Sequence, residues 1–119
     1  NEDLACQIAL TFIIDANARI RAYIPIVSTK RSFYKAHILP IIQNDLDWSV
    51  RASVARELPK CSELEPAIQS CIALAADKVW QVRYFALKSL LALLPDSKPS
   101  SIDQDFFNLL IETIKFPQP

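Results

Sequence analysis

Asp45-Leu-Asp-Trp48-Ser-Val50-Arg51 and Asp77-Lys-Val-Trp80-Gln-Val82-Arg83 decide how this chain is read, because they match at Asp, Trp, Val and Arg 32 positions apart. A weaker third copy, Asp15-Ala-Asn-Ala-Arg-Ile20-Arg21, lies 30 positions earlier and keeps the Asp, the branched aliphatic residue and the Arg. The flanks share the register. Phe12, Ile42 and Leu74 stand three residues before each Asp, and Ile24, Val54 and Ala86 three after each Arg. Seven after the Arg, Leu58 and Leu90 correspond, while Ser28 does not. A period near 30 residues marks supersecondary units that cannot bury their apolar faces alone and stack to do so.

Each unit reads as helix, short turn, helix. In the third, Ser62 with Glu65 gives a capping-box pattern and Pro66 is tolerable in a first turn. Ile68, Cys71, Ile72 and Ala75 then follow at helical spacing up to Asp77. The next helix carries Val82, Phe85, Ala86, Leu90 and Leu93 on one side and Leu87, Leu91 and Leu94 on another, so it must be covered from more than one direction. Asn17 and Asp47 are N-cap types before the second helices of the first two units. Pro59 closes the second helix of the middle unit. Pro25 is expected to interrupt the second helix of the first unit, and Pro40 to kink or delay the helix expected over 33–44. Residues 95–100 read as a loop, and Ser101 with Gln104 caps a last helix, Asp103 to Lys115, striped with Phe106, Phe107, Leu110, Ile111 and Ile114. The expected units are 4–30, 31–61, 62–95 and a half unit at 101–116, in a single array spanning 1–119.

Composition narrows the function. The 119 residues suffice for one domain, and 51% hydrophobic content is ample for a core. With no Gly at all, there is no phosphate-binding loop, dinucleotide turn, nucleophile elbow or EF-hand, and tight glycine hairpins are missing too. Lys plus Arg equal Asp plus Glu at 13 each, which makes nucleic acid an improbable partner. The longest uncharged apolar stretches, Leu4 to Ile14 and Pro66 to Ala76, fall short of the roughly 20 residues that span a bilayer. No signal-peptide pattern opens the chain. It lacks an initiator Met and enters at once into helical material, so we expect a piece of a longer polypeptide. Cys6, Cys61 and Cys71 form no C-x-x-C pair, which suits a reducing compartment, cytoplasmic or nuclear.

The two-helix unit, with Asp six residues before an Arg that follows Val or Ile, resembles the HEAT repeat. The Asp-x-x-Trp-x-Val-Arg form is most similar to repeats of the protein phosphatase 2A scaffold subunit and of protein phosphatase 4 regulatory subunit 1. The resemblance implies an all-α, right-handed solenoid of antiparallel helix pairs with about three and a half repeats. It also implies a ladder in which Asp15, Asp45 and Asp77 pair with Arg21, Arg51 and Arg83 of successive repeats. The turns would form a ridge that holds partner proteins and carries Trp48 and Trp80. Family repeats usually run longer than the 30 to 32 residues seen here. Nuclear-transport receptors, tubulin-binding arrays and condensin-type subunits use similar units, so the resemblance leaves as alternatives a tubulin-binding or nuclear-transport array, or a HEAT-like DNA glycosylase.

On this reading the protein is a non-enzymatic scaffold for a phosphatase catalytic subunit or its adaptor, needing no cofactor. Its candidate protein-binding residues are Asp47, Trp48, Lys78, Trp80 and Gln81, with Trp80 expected to be more exposed than Trp48. Trp is enriched at binding hot spots, but a large aromatic also packs against neighbouring turns. The ladder reads chiefly as structure. The basic run Arg19, Arg21, Lys30, Arg31, Lys35 reads as a solvated face compensated by Glu63, Glu65 and Asp77. For catalysis or metal binding the inventory is thin. His37 is the only His, and the acid pairs Asp45/Asp47, Glu63/Glu65 and Asp103/Asp105 are two residues apart, pointing away from each other on a helix. The thiols read as core-lining.

Overall fold

A computed structural model describes residues 1–93 together with 108, 109 and 112. The described residues are all-helical, without a strand. Six α-helices follow in order: α1 (Glu2–Phe12), α2 (Ala18–Ser28), α3 (Leu39–Ile42), α4 (Trp48–Glu57), α5 (Leu64–Leu74) and α6 (Trp80–Leu93). A π-helical turn, Tyr34–Ile38, leads into α3, and a 3-10 turn, Leu58–Lys60, follows α4. The loop and helix expected over 95–115 lie outside the described residues, apart from Asn108, Leu109 and Glu112, which are helical and exposed.

The start signals act as their chemistry requires at three of these helices. Asn1 accepts the N–H groups of Asp3 and Leu4, Asn17 that of Arg19 at 2.9 Å, and Asp47 that of Ser49 at 2.8 Å. The Ser62–Glu65 box does not form. Helix α5 starts one residue later than that box requires: Glu63, not Ser62, is its N-cap residue, and Glu63 makes no side-chain cap bond.

The prolines behave differently from one another. Pro25 does not interrupt α2, which runs through it to Ser28 with the ring buried. The ring removes one backbone bond, but α1 and α4 hold α2 from two sides and their packing offsets that loss. Pro40 does change the helix before it. Leu39 N–H reaches back five residues to the Tyr34 carbonyl, so the widened turn delays the α-form until Leu39.

Helix α4 packs against α2 on one side and α6 on the other, and α5 packs against α6. Val50, Val54, Ala55, Leu58, Val82 and Ala86 are fully enclosed at these contacts. Hydroxyls tie the second helices together. Ser53 of α4 donates to the Ala22 carbonyl of α2 at 2.6 Å, and Ser89 of α6 donates to the Ala55 carbonyl of α4 at 2.5 Å. The second bond has a specific cause. Residue 59, whose N–H would ordinarily bond Ala55, is Pro, so the Ser89 hydroxyl supplies the missing donor.

Several flanking residues depart from the repeating register. Phe12 is exposed where Ile42 and Leu74 are buried, and Leu90 is half-buried where Leu58 is enclosed. Ile72 faces solvent, because α5 turns Ala67, Ser70, Cys71 and Leu74 inward instead. The Tyr34 hydroxyl is buried and has no hydrogen-bond partner among the described residues, and burial pushes its pKa far up.

Candidate functional site

The three turns that join α1 to α2, α3 to α4 and α5 to α6 are built alike. In each, the Asp side chain accepts the N–H two residues on: Asp15 from Asn17 at 2.8 Å, Asp45 from Asp47 at 2.9 Å and Asp77 from Val79 at 2.9 Å. Each turn is then tied to the helix it starts. Arg21 donates through Nη1 to the Asp15 carbonyl at 2.6 Å, Arg51 to that of Asp45 at 2.8 Å, and Arg83 to that of Asp77 at 2.9 Å.

The same arginines join neighbouring turns. Arg21 reaches Asp45 through Nε at 2.8 Å and Nη2 at 3.1 Å, and Arg51 reaches Asp77 at 2.7 and 3.2 Å. These fork-on-carboxylate pairs fix direction as well as distance. Both are largely buried, with side-chain exposures of 16% and 10% for Arg21 and Asp45, and 11% and 9% for Arg51 and Asp77. Hydrogen bonding to Asp45 and Asp77 raises the pKa of Arg21 and Arg51 above that of a free guanidinium. Burial pushes the Asp77 carboxyl up, but the Arg51 hydrogen bonds and the Val79 N–H outweigh it and leave the pKa lowered. Among the described residues, Asp15 receives no Arg from another turn and Arg83 reaches no carboxylate.

Outside this polar row the turns present apolar side chains to solvent. Leu46 is 98% exposed, Ile14 81% and Trp48 44%, and Ile41 at the end of α3 is exposed as well. A groove of about 440 Å³ runs between the first two turns, lined by Ile13, Ile14, Asp15, Ala16, Arg21, Ile41, Asn44, Asp45 and Leu46. Leu46 does not dangle, since Arg51 also donates to its carbonyl at 3.1 Å.

The residues singled out from the sequence fall into two groups. Trp48 and Lys78 are exposed at the turns, whereas Trp80 and Gln81 are partly buried at the start of α6. The expected order of the tryptophans is therefore reversed: Trp48 is the open one. Asp47 is occupied as an N-cap. Its carboxyl accepts both the N–H and the hydroxyl of Ser49, and these bonds lower its pKa. Sequence reasoning passed over Leu46, Ile14 and Ile41. Leu46 carried a signal, an apolar residue between two aspartates in a turn, where polar residues are usual.

His37 is exposed on the π-helical turn, and among the described residues no three His, Cys, Asp or Glu side chains converge as a metal site. Burial pushes the Cys61 thiol up to about 11 and the Cys71 thiol up to about 12, so both stay protonated and unreactive near neutrality. Of the basic run, Arg21 bonds Asp45, Arg31 bonds Glu2 at 2.5 Å and Lys35 meets Glu63 at 3.1 Å. Among the described residues no helix is long and apolar enough to cross a membrane. No family model, no curated protein and no solved structure matches the chain.

Proposed function

We propose that the chain is a HEAT-type array of antiparallel helix pairs that serves as a non-enzymatic protein-binding scaffold, with the row of turns as its docking ridge. One observation carries this reading. Leu46 stands almost wholly in solvent on a turn whose backbone Arg51 holds at two successive carbonyls, those of Asp45 and Leu46. An apolar anchor on a fixed turn loses little conformational freedom on docking, so more of its contact energy appears as affinity. Trp48 on the same turn and Ile14 across the groove widen the apolar area, and exposed apolar patches are where protein partners bind.

The resemblance of the Asp-x-x-Trp-x-Val-Arg units suggests the partner: a protein serine/threonine phosphatase catalytic subunit, or its substrate adaptor, in the cytoplasm or nucleus. The inter-turn pairs Arg21–Asp45 and Arg51–Asp77 support the stacked arrangement that such a scaffold needs. The test is surface-immobilised protein titrated with purified catalytic subunits of protein phosphatases 2A and 4. Saturable binding that Leu46→Asp abolishes is expected. Binding of neither subunit would remove the phosphatase assignment, and equal binding by Leu46→Asp would remove the ridge.

A further inference from the structure

A second surface lies on the helices rather than on the turns. Between α2 and α4 runs a groove of about 420 Å³ lined by Arg19, Ala22, Tyr23 and Ile26 from α2 and by Ser49, Ser53 and Arg56 from α4. Among the described residues its lining holds two guanidinium groups, three hydroxyls and no carboxylate.

The charge there is not cancelled nearby. Among the described residues Arg19 has no ion-pair partner. Arg56 sits 3.3 Å from Glu57, but that carboxylate is buried and also bonds Lys60 at 2.7 Å, so the three groups keep a net positive charge. Asp47 borders the groove only through Ser49, whose hydroxyl it accepts. Along α2, α4 and α6 the only acidic residue is Glu57; of the basic ones, Arg21 and Arg51 are held by Asp45 and Asp77 in the turns, so Arg19, Arg56, Arg83 and Lys88 carry the excess. The strip continues onto α6, where Phe85 packs under the Arg56 guanidinium at 5.7 Å and Lys88, one turn on, is exposed. The chain as a whole is neutral, so this is a segregated charge rather than a general one.

The groove is also apolar. Tyr23 is 63% exposed and Ile26 42%, and Val27 beside them is open. A duplex phosphate backbone would leave that apolar area uncovered and needs several cations in a row, where this lining offers two. An extended protein segment that alternates carboxylates with aliphatic side chains satisfies both parts. Its acids would meet Arg19 and Arg56, and its apolar side chains would cover Tyr23 and Ile26.

We infer that the α2–α4 groove binds an acidic, aliphatic-rich peptide segment of a partner protein, at a surface distinct from the turn ridge. The test uses a short fluorescein-labelled peptide of alternating Glu and Leu, followed by anisotropy at low and physiological salt. Alternating Lys–Leu and Ser–Leu peptides and a thymidine oligonucleotide serve as comparison probes. The Glu–Leu peptide should bind saturably, more weakly at higher salt, and the other probes should not compete. Arg19→Glu should weaken it about ten-fold or more by setting like charges together, while Lys30→Glu, outside the groove, should leave it unchanged. Arg19 is exposed, so the variant should melt as the parent does; Tyr23→Ser gives a second, uncharged reading of the same groove. Failure of the peptide to bind, equal loss in Arg19→Glu and Lys30→Glu, or tighter binding of the oligonucleotide would each overturn the proposal.

Discussion

Arg51 holds the carbonyl of Leu46 at 3.1 Å while the leucine side chain stands 98% exposed, so one residue of the turn is fixed in its backbone and free in its side chain. The same guanidinium bonds the Asp45 carbonyl and the Asp77 carboxylate. A single buried cation thereby sets the conformation of its own turn and the position of the next one.

Removing one partner of such a pair leaves the other buried without a counter-charge. Asp77→Ala should cost about 2–3 kcal/mol, in the range for hydrogen bonds to charged groups. Asp15→Ala, whose carboxylate meets no Arg among the described residues, should cost about 1 kcal/mol or less, the scale of a single lost turn bond. Urea unfolding of the two variants checks the difference; equal costs would mean that the inter-turn pairing adds nothing.

The Asp77 pair also fixes the sign of an acid response. Its folded-state pKa lies below the ordinary value of 3.8, so its contribution is fully present above that value and is lost as pH falls through the lowered one. Thermal melts of the parent should therefore drop more steeply below about pH 4 than those of Asp77→Asn, which has no proton to take up. Parallel curves would contradict the assignment.

Ser89→Ala should be costly for so small a change. It strips the donor from the Ala55 carbonyl, which Pro59 cannot replace, and a buried acceptor left bare costs roughly 1–3 kcal/mol. Chemical denaturation measures it. A neutral result would mean that the carbonyl finds another donor.

Tyr34→Phe runs the other way. The hydroxyl is buried and unpaired among the described residues, so its removal should leave stability unchanged or raise it by up to about 1 kcal/mol. A loss larger than about 1 kcal/mol would show that the hydroxyl is bonded.

What the sequence made legible were the features that recur. Asp45 and Asp77, Arg51 and Arg83, and the helices around them stand out because the same residue types return at a fixed spacing. Features that depend on a single neighbour did not. The Ser89–Ala55 bond exists because of Pro59 on a different helix, and no local pattern announces it. Pro25 breaks a helix considered alone but not one clamped between α1 and α4. The Ser62–Glu65 pattern looked complete, yet α5 starts one residue later, with Glu63 rather than Ser62 at its N-cap. The two tryptophans match in sequence, yet only Trp48 is left open, since exposure is set by what packs beside the turn rather than by the turn's own residues.

The most direct test of the ridge measures stability and partner binding on one variant, Trp48→Ala. As an exposed side chain at a fixed turn, Trp48 should cost about 0.5 kcal/mol or less in urea unfolding when truncated. Affinity for the proposed partner, a phosphatase catalytic subunit, should fall by ~2 kcal/mol or more, the scale of a hot-spot residue. Destabilisation near 3 kcal/mol with affinity unchanged in the folded fraction would contradict the account, making Trp48 a packing residue and leaving the turns without a binding role.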